Sequence, residues 1–201
     1  MKPLSVIITT HNRLDYTRQT IESLFATVPA DTKFFIFDNA SDKETQDYLS
    51  SVCGSTRFNL HLIHSAENLG WGASVNKMLE LVDTEMILVS NNDVVYHEGW
   101  YEKALALYEK YPKIGVFGLW KHVSHGVLED KGDLIVKDQM PAVSWLFKRS
   151  VMNDIGPIPV HGPCATKGGN GEDVGYCIMA ANKGYLVCGP KDDLSRHLDG
   201  Y

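Results

Sequence analysis

Met86-Ile87-Leu88-Val89-Ser90-Asn91-Asn92-Asp93 reads as a strand that ends in a polar turn, and this stretch decides the fold class. Four consecutive apolar side chains leave no polar face, so a strand made of them must be covered on both sides, as in the interior of an α/β sheet. Ser90, Asn91, Asn92 and Asp93 then close it with residue types that end strands in turns. A carboxylate at that rim can hold a divalent cation through oxygen, with Asn92 or water beside it and other positions left for a diphosphate. A plain Asn/Asp turn would carry the same letters.

Working towards the N-terminus, the pattern alternates. Leu4 to Ile8 is a β-rich run, followed by Thr9 to Arg13 and a helical pattern through Tyr16, Ile21, Leu24 and Phe25, with Asn12 or a neighbour as its cap. Lys33 to Phe37 is a second strand, and Ser41 with Glu44 fits a capping box for a helix reaching about Leu49. Leu60 to Ile63 is a third strand, and a helix from about Ala73 to Val82 follows the glycine-containing stretch Asn68 to Gly72. Beyond Asp93, Gly99 to Tyr111 reads as helix and Ile114 to Leu119 as strand. Such crossovers are long enough for parallel pairing. The fold class is therefore α/β: an open, twisted, mostly parallel sheet with helices on both faces.

From residue 120 the rhythm changes. Residues 121–141 form a polar excursion with a hairpin or mobile loop, Ala142 to Phe147 a strand, and Arg149 to Ile155 a short helix. After a Pro- and Gly-rich loop, a helix from Glu172 to about Asn182 presents Val174, Cys177, Ile178 and Ala181 on one face and stops at Gly184. Leu186 to Cys188 is a last strand, trailed by a polar tail holding His197. We read residues 1–201 as one domain, with a nucleotide-binding half (1–119) and a more irregular acceptor-side half (120–201).

Nineteen basic against 25 acidic residues give a formal charge of −6, which provides no general footprint for nucleic acid. No apolar run approaches the roughly 18 residues of a membrane span. The four cysteines include no CxxC pair, which favours core thiols in a reduced, cytoplasmic compartment over a metal cage or disulfide framework. Asn68 to Gly72 matches neither the dinucleotide fingerprint nor the P-loop, so a dehydrogenase or ATPase lacks its usual warrant.

Ligands in open α/β sheets bind beyond the carboxyl ends of the strands. Thr9 to Arg13, Asp38, Asn68 to Gly72 and Asn91 to Asp93 all fall at such ends. Asp38 can accept a hydrogen bond from a pyrimidine N–H or simply close its strand. His197 can ligate a metal or be a solvated tail residue. Glu172 and Asp173 open a helix, where one can take a proton from an acceptor hydroxyl or merely complement the helix dipole. Trp120 and Trp145 can form apolar platforms for a sugar ring or pack in the core.

These segments, in this order, resemble the inverting glycosyltransferases of family 2, which have the GT-A fold. The resemblance runs from Ser5–Arg13 through Phe37–Ser41, Glu67–Gly70 with Asn76, Val89–Asp93 and Gly171–Val174 to His197. It implies that Thr9, His11, Arg13 and Asp38 hold the nucleotide, that Asn68 and Gly70 lie against the donor, and that Asn91 and Asn92 border it. It implies Asp93 and His197 as ligands of Mn²⁺ or Mg²⁺, Asp173 as catalytic base, and Glu172 as its acceptor-binding neighbour. The expected co-substrate is a UDP- or dTDP-sugar, and the expected acceptor a glycan, glycoprotein or glycolipid, with the enzyme at a membrane surface if the acceptor is lipid-linked. Asn91 in place of the first acid of the DxD motif is shared with relatives similar to rhamnosyltransferases. Gly175 stands where many relatives have another acid. A nucleotidyltransferase, a retaining glycosyltransferase and a non-catalytic carbohydrate-binding module are the competing readings.

Overall fold

The computed structural model describes residues 2–120, 126–161 and 171–199. The expected loop at Gly162, Pro163, Cys164 and Gly168–Asn170, together with His122 and His125, lies outside them. The first half folds in the anticipated order, with one unforeseen strand, the short β5: β1 (Leu4–Thr10), α1 (Leu14–Thr27), β2 (Lys33–Asp38), α2 (Lys43–Ser55), β3 (Asn59–His64), α3 (Trp71–Leu79), β4 (Met86–Asn91), β5 (Val94–Tyr96), α4 (Trp100–Lys110) and β6 (Ile114–Gly118). The second half supplies a hairpin of β7 (Val127–Asp130) and β8 (Leu134–Lys137). It continues with β9 (Ser144–Lys148), α5 (Arg149–Ile155), α6 (Glu172–Asn182), β10 (Leu186–Pro190) and β11 (Ser195–His197).

Nine strands form one sheet in the order β3-β2-β1-β4-β9-β6-β10-β8-β7. β1 to β4 run parallel, and β9 inserts antiparallel between β4 and β6. The two halves of the sequence therefore interleave within a single sheet, because β6 pairs only with β9 and β10. Alternate residues of the all-apolar strands feed two cores. Val6, Ile8, Phe34, Ile36 and Leu88 pack on one side with α1, α2 and α4. Ile7, Phe35, Phe37, Ile87 and Val89 pack on the other with α3, α5 and α6. This is the two-sided burial that Met86 to Val89 demands.

Several local expectations are corrected. The cap of α2 is Asp42, whose side chain accepts from the Thr45 N–H, and the helix runs six residues past Leu49. Ser41 instead accepts from the Asn12 N–H at 2.8 Å. Of Asn12 and its neighbours, Arg13 takes the cap position of α1, in a left-handed conformation with no side-chain capping bond. The buried side of α6 is Gly175, Tyr176, Cys177 and Ala180, leaving Ile178 45% exposed. The tail after β10 is not free: β11 pairs antiparallel with β5, forming a second, two-stranded sheet. Burial pushes the Cys177 thiol up to about 12, which fits the expected core role for this cysteine.

Trp145 also departs from expectation. It is fully buried on β9, with Trp71, Phe147 and Tyr176 rings 5.4, 5.8 and 6.0 Å away, so it offers no face to a sugar. It holds α3 and α6 against the sheet. Trp145→Ala is expected to destabilise the protein by ~3–5 kcal/mol through lost burial and a residual cavity. Chemical denaturation read by circular dichroism would check this, with an unchanged midpoint refuting the assignment.

Candidate functional site

The carboxyl ends of β1, β2 and β4 open into a cleft of about 290 Å³ lined by Thr9, Thr10, His11, Asn39, Asn68, Gly70, Trp71, Asn91, Asn92 and Asp93. Seven of the residues singled out in the sequence thus meet here from three separate segments. A second cleft, of about 350 Å³ and lined by Asn76, Ile87, Arg149 and Asn153 among others, contains none of these seven.

The cleft floor is held by amides. Asn39 accepts from the Leu69 N–H at 2.7 Å and donates to the Gly70 carbonyl at 3.3 Å, clamping the Asn68–Gly70 segment to the end of β2. Asn68 caps the same turn by accepting from the Gly70 N–H at 2.9 Å. Asn92 donates to the Asn12 carbonyl at 3.0 Å and to the Thr17 hydroxyl at 2.8 Å, tying the turn after β4 to the turn after β1. His11 donates from Nδ1 to the Asn39 carbonyl at 2.9 Å. Asn39 was legible only as part of a strand-ending turn, since nothing in its neighbours signals a clamp.

Asp93 is 7% exposed. Its Oδ2 accepts from the Arg13 guanidinium at 2.8 Å, while Oδ1 lies 3.4 Å from His197 Nε2. The small β5–β11 sheet creates this meeting: Val94, just after Asp93, pairs with His197, and the Asp93 carbonyl accepts from the Leu198 N–H at 2.8 Å. Trp120 packs its ring 5.4 Å from the His197 imidazole. Asp199, not foreseen, completes the group. Ligand atoms of Asp93, His197 and Asp199 all lie within 4.8 Å of one another. The signal for Asp199 was its closeness in sequence to His197; the strand ends at His197, and the turn that follows brings Asp199 back towards Asp93.

The donor set fits a hard divalent cation. Two carboxylates and an imidazole supply oxygen and nitrogen ligands of the type Mn²⁺ accepts. Moreover, Asp93 Oδ1 and Asn91 Oδ1 are both shielded from solvent and accept no hydrogen bond among the described residues. Orphaned buried acceptors of this kind call for a missing partner, and for Asp93 a cation is one that fits.

Arg13 bridges Asp93 and Asp199. Its hydrogen bond to Asp199, with the charges of both carboxylates, raises its pKa further despite partial burial. Asn12 and Arg13 are both left-handed, with φ of 56° and 62°, a conformation costly for residues with a Cβ. Asn12 donates to the Ser41 hydroxyl and accepts from Asp42, Thr17 and Asn92, and these bonds hold the turn in place.

Asp38 sits deeper than a nucleotide-contacting carboxylate needs to. It is fully buried, with Oδ1 accepting from the Ser41 N–H at 3.0 Å and Oδ2 from His64 Nδ1 at 2.8 Å. Glu172 is buried, and its Oε2 accepts from the Gly72 N–H at 3.3 Å, docking the start of α6 onto the start of α3. Gly72 is required there, because a Cβ would come within 2.9 Å of the Pro159 carbonyl and 3.1 Å of Glu172 Oε1. Asp173 is half-buried beside it, with Oδ1 accepting from the Val174 N–H at 2.8 Å.

Solved structures share this fold. A mannosyltransferase from Pyrobaculum calidifontis, determined with GDP-Man and Mn²⁺, superposes with a TM-score of 0.72 at 16% identity, over 96% of this chain and 59% of that one. TarS from S. aureus in complex with UDP-GlcNAc gives 0.70 at 16% identity, over 99% and 61%. By sequence, protein CgeD of Bacillus subtilis (strain 168) is 28% identical over 99 residues, which is 47% of this chain and 23% of that protein. The chain thus spans less than two thirds of the length of these relatives. The sheet is that of the GT-A glycosyltransferases, as the resemblance implied. Residues 5–167 match the model of glycosyl transferase family 2, and on this match, which covers most of the sequence, the chain belongs to that family.

Proposed function

We propose that this chain is a metal-dependent, inverting glycosyltransferase that moves a sugar from a nucleotide-sugar to an acceptor hydroxyl. One observation carries the reading: the cleft at the strand ends adjoins the set of Asp93, His197 and Asp199, in which the buried Asp93 Oδ1 has no hydrogen-bond partner among the described residues. A divalent cation bound there would supply positive charge against the diphosphate as it leaves. The chain's own groups do the rest. Thr9, His11, Asn68 and Gly70 line the donor's berth, and Arg13 adds a guanidinium suited to phosphate oxygens.

Asp173, at the first turn of α6, is the base that accepts the acceptor's proton as its oxygen attacks the anomeric carbon opposite the nucleotide. Such a single displacement inverts the configuration without a covalent intermediate. Glu172, locked to Gly72, sets the position of that turn and with it of Asp173. Trp120, beside His197, is the remaining aromatic candidate for a sugar platform. The acceptor is a glycan or glycoconjugate hydroxyl.

The donor is a UDP- or dTDP-sugar, and the part-exposed His64, held by the fully buried Asp38, is the group that meets the base. A panel of UDP-, dTDP- and GDP-sugars with and without Mn²⁺, read by thermal shift, tests this. We expect stabilisation by a UDP- or dTDP-sugar only when Mn²⁺ is present; a ligand at about 100 times its Kd adds ~2.7 kcal/mol. No response to any nucleotide-sugar, or one indifferent to Mn²⁺, would refute the reading. Among the described residues no helix is long and apolar enough to cross a membrane.

A further inference from the structure

Arg13 occupies an unusual position for a residue expected to face a nucleotide. Its two terminal nitrogens donate to Asp93 and to Asp199, the two carboxylates of the candidate metal set. A guanidinium and a divalent cation drawn to the same pair of carboxylates repel each other at short range. The backbone of Arg13 is fixed by the Asn12 turn, but its side chain is 45% exposed, against 9% for Asp93. The arginine can therefore swing out without opening a cavity, whereas Asp93 cannot follow it.

We propose that Arg13 and the divalent cation are alternative occupants of one cation position. In the cation-free protein Arg13 holds Asp93 and Asp199 together, preserving the ligand geometry. When the cation binds, Arg13 is displaced from the carboxylates and its guanidinium becomes available to the diphosphate of the nucleotide. Cation and nucleotide then support each other's binding, because the first frees a group that the second uses. The inference rests on the metal reading above.

The test is direct Mn²⁺ binding, measured from the free-ion electron paramagnetic resonance signal without nucleotide, on wild type, Arg13→Gln, Arg13→Gly and Asp93→Asn. Arg13→Gly removes the guanidinium while relieving the left-handed strain, which guards against a folding defect in Arg13→Gln. Both Arg13 variants are expected to bind Mn²⁺ more tightly than wild type, by on the order of tenfold, within the ordinary range of coupling between two ligands. At saturating Mn²⁺ they should bind UDP more weakly, as read by calorimetry. Mn²⁺ affinity that is unchanged or weaker in both folded variants, with Asp93→Asn still abolishing binding, overturns the exchange and leaves the metal site standing. Absence of Mn²⁺ binding in wild type and both Arg13 variants, with or without UDP, overturns both readings.

Discussion

Asp93→Ala is expected to abolish the Mn²⁺ dependence of nucleotide-diphosphate binding and to lower transfer by roughly a thousandfold. It is the buried carboxylate of the set, and nothing among its neighbours can replace it: Asn91 is neutral and Asp199 sits at the exposed edge. Charge stabilisation by a bound cation is worth several kcal/mol, and each ~1.4 kcal/mol is a factor of ten in rate. The fold should survive, since the backbone bond from Leu198 to Asp93 is independent of the side chain. Calorimetric titration of UDP with and without Mn²⁺ on wild type and variant decides it. An affinity in the variant that still rises with Mn²⁺ to the wild-type value would remove Asp93 from the metal site.

Asp173→Asn should leave the donor bound but cut transfer by about 10²–10⁴-fold, the usual contribution of a positioned general base. The amide is nearly isosteric and its carbonyl can still accept from the Val174 N–H, so the first turn of α6 should keep its geometry. Loss in kcat with unchanged donor affinity is the signature sought. Full activity in the variant would exclude Asp173 as the base and turn attention to other groups near the start of α6.

The sequence made the first half of the fold readable because its strands are continuously apolar and separated by polar, helix-length segments. Arg149–Ile155 and Glu172–Asn182 were equally plain, bounded by prolines and glycines that stop helices. The strand order was not. β9 enters between β4 and β6 through long-range pairing, and no local pattern encodes which edge a strand will find. The same limit hid the β5–β11 sheet, since three-residue strands are too short to show a period. It also left the two tryptophans indistinguishable, although Trp145 is core and Trp120 lies at the site. Cleft residues at strand ends were accessible from sequence because topology alone collects them on one rim.

The β5–β11 sheet has a bearing on how the site endures stress. It consists of two three-residue strands and brings residue 13 to residue 199 across almost the whole chain. Contacts so distant in sequence are late to form and, when held by few bonds, early to open. Val94 and Tyr96 are nevertheless buried in the same core as α1 and α4, and the Leu194 and Ser195 N–H groups donate to the Leu119 carbonyl. The weak point is therefore the outer end of the corner, where Arg13 and the exposed Asp199 meet, so that heat or denaturant is expected to loosen this contact, and with it the site, before the body of the fold gives way.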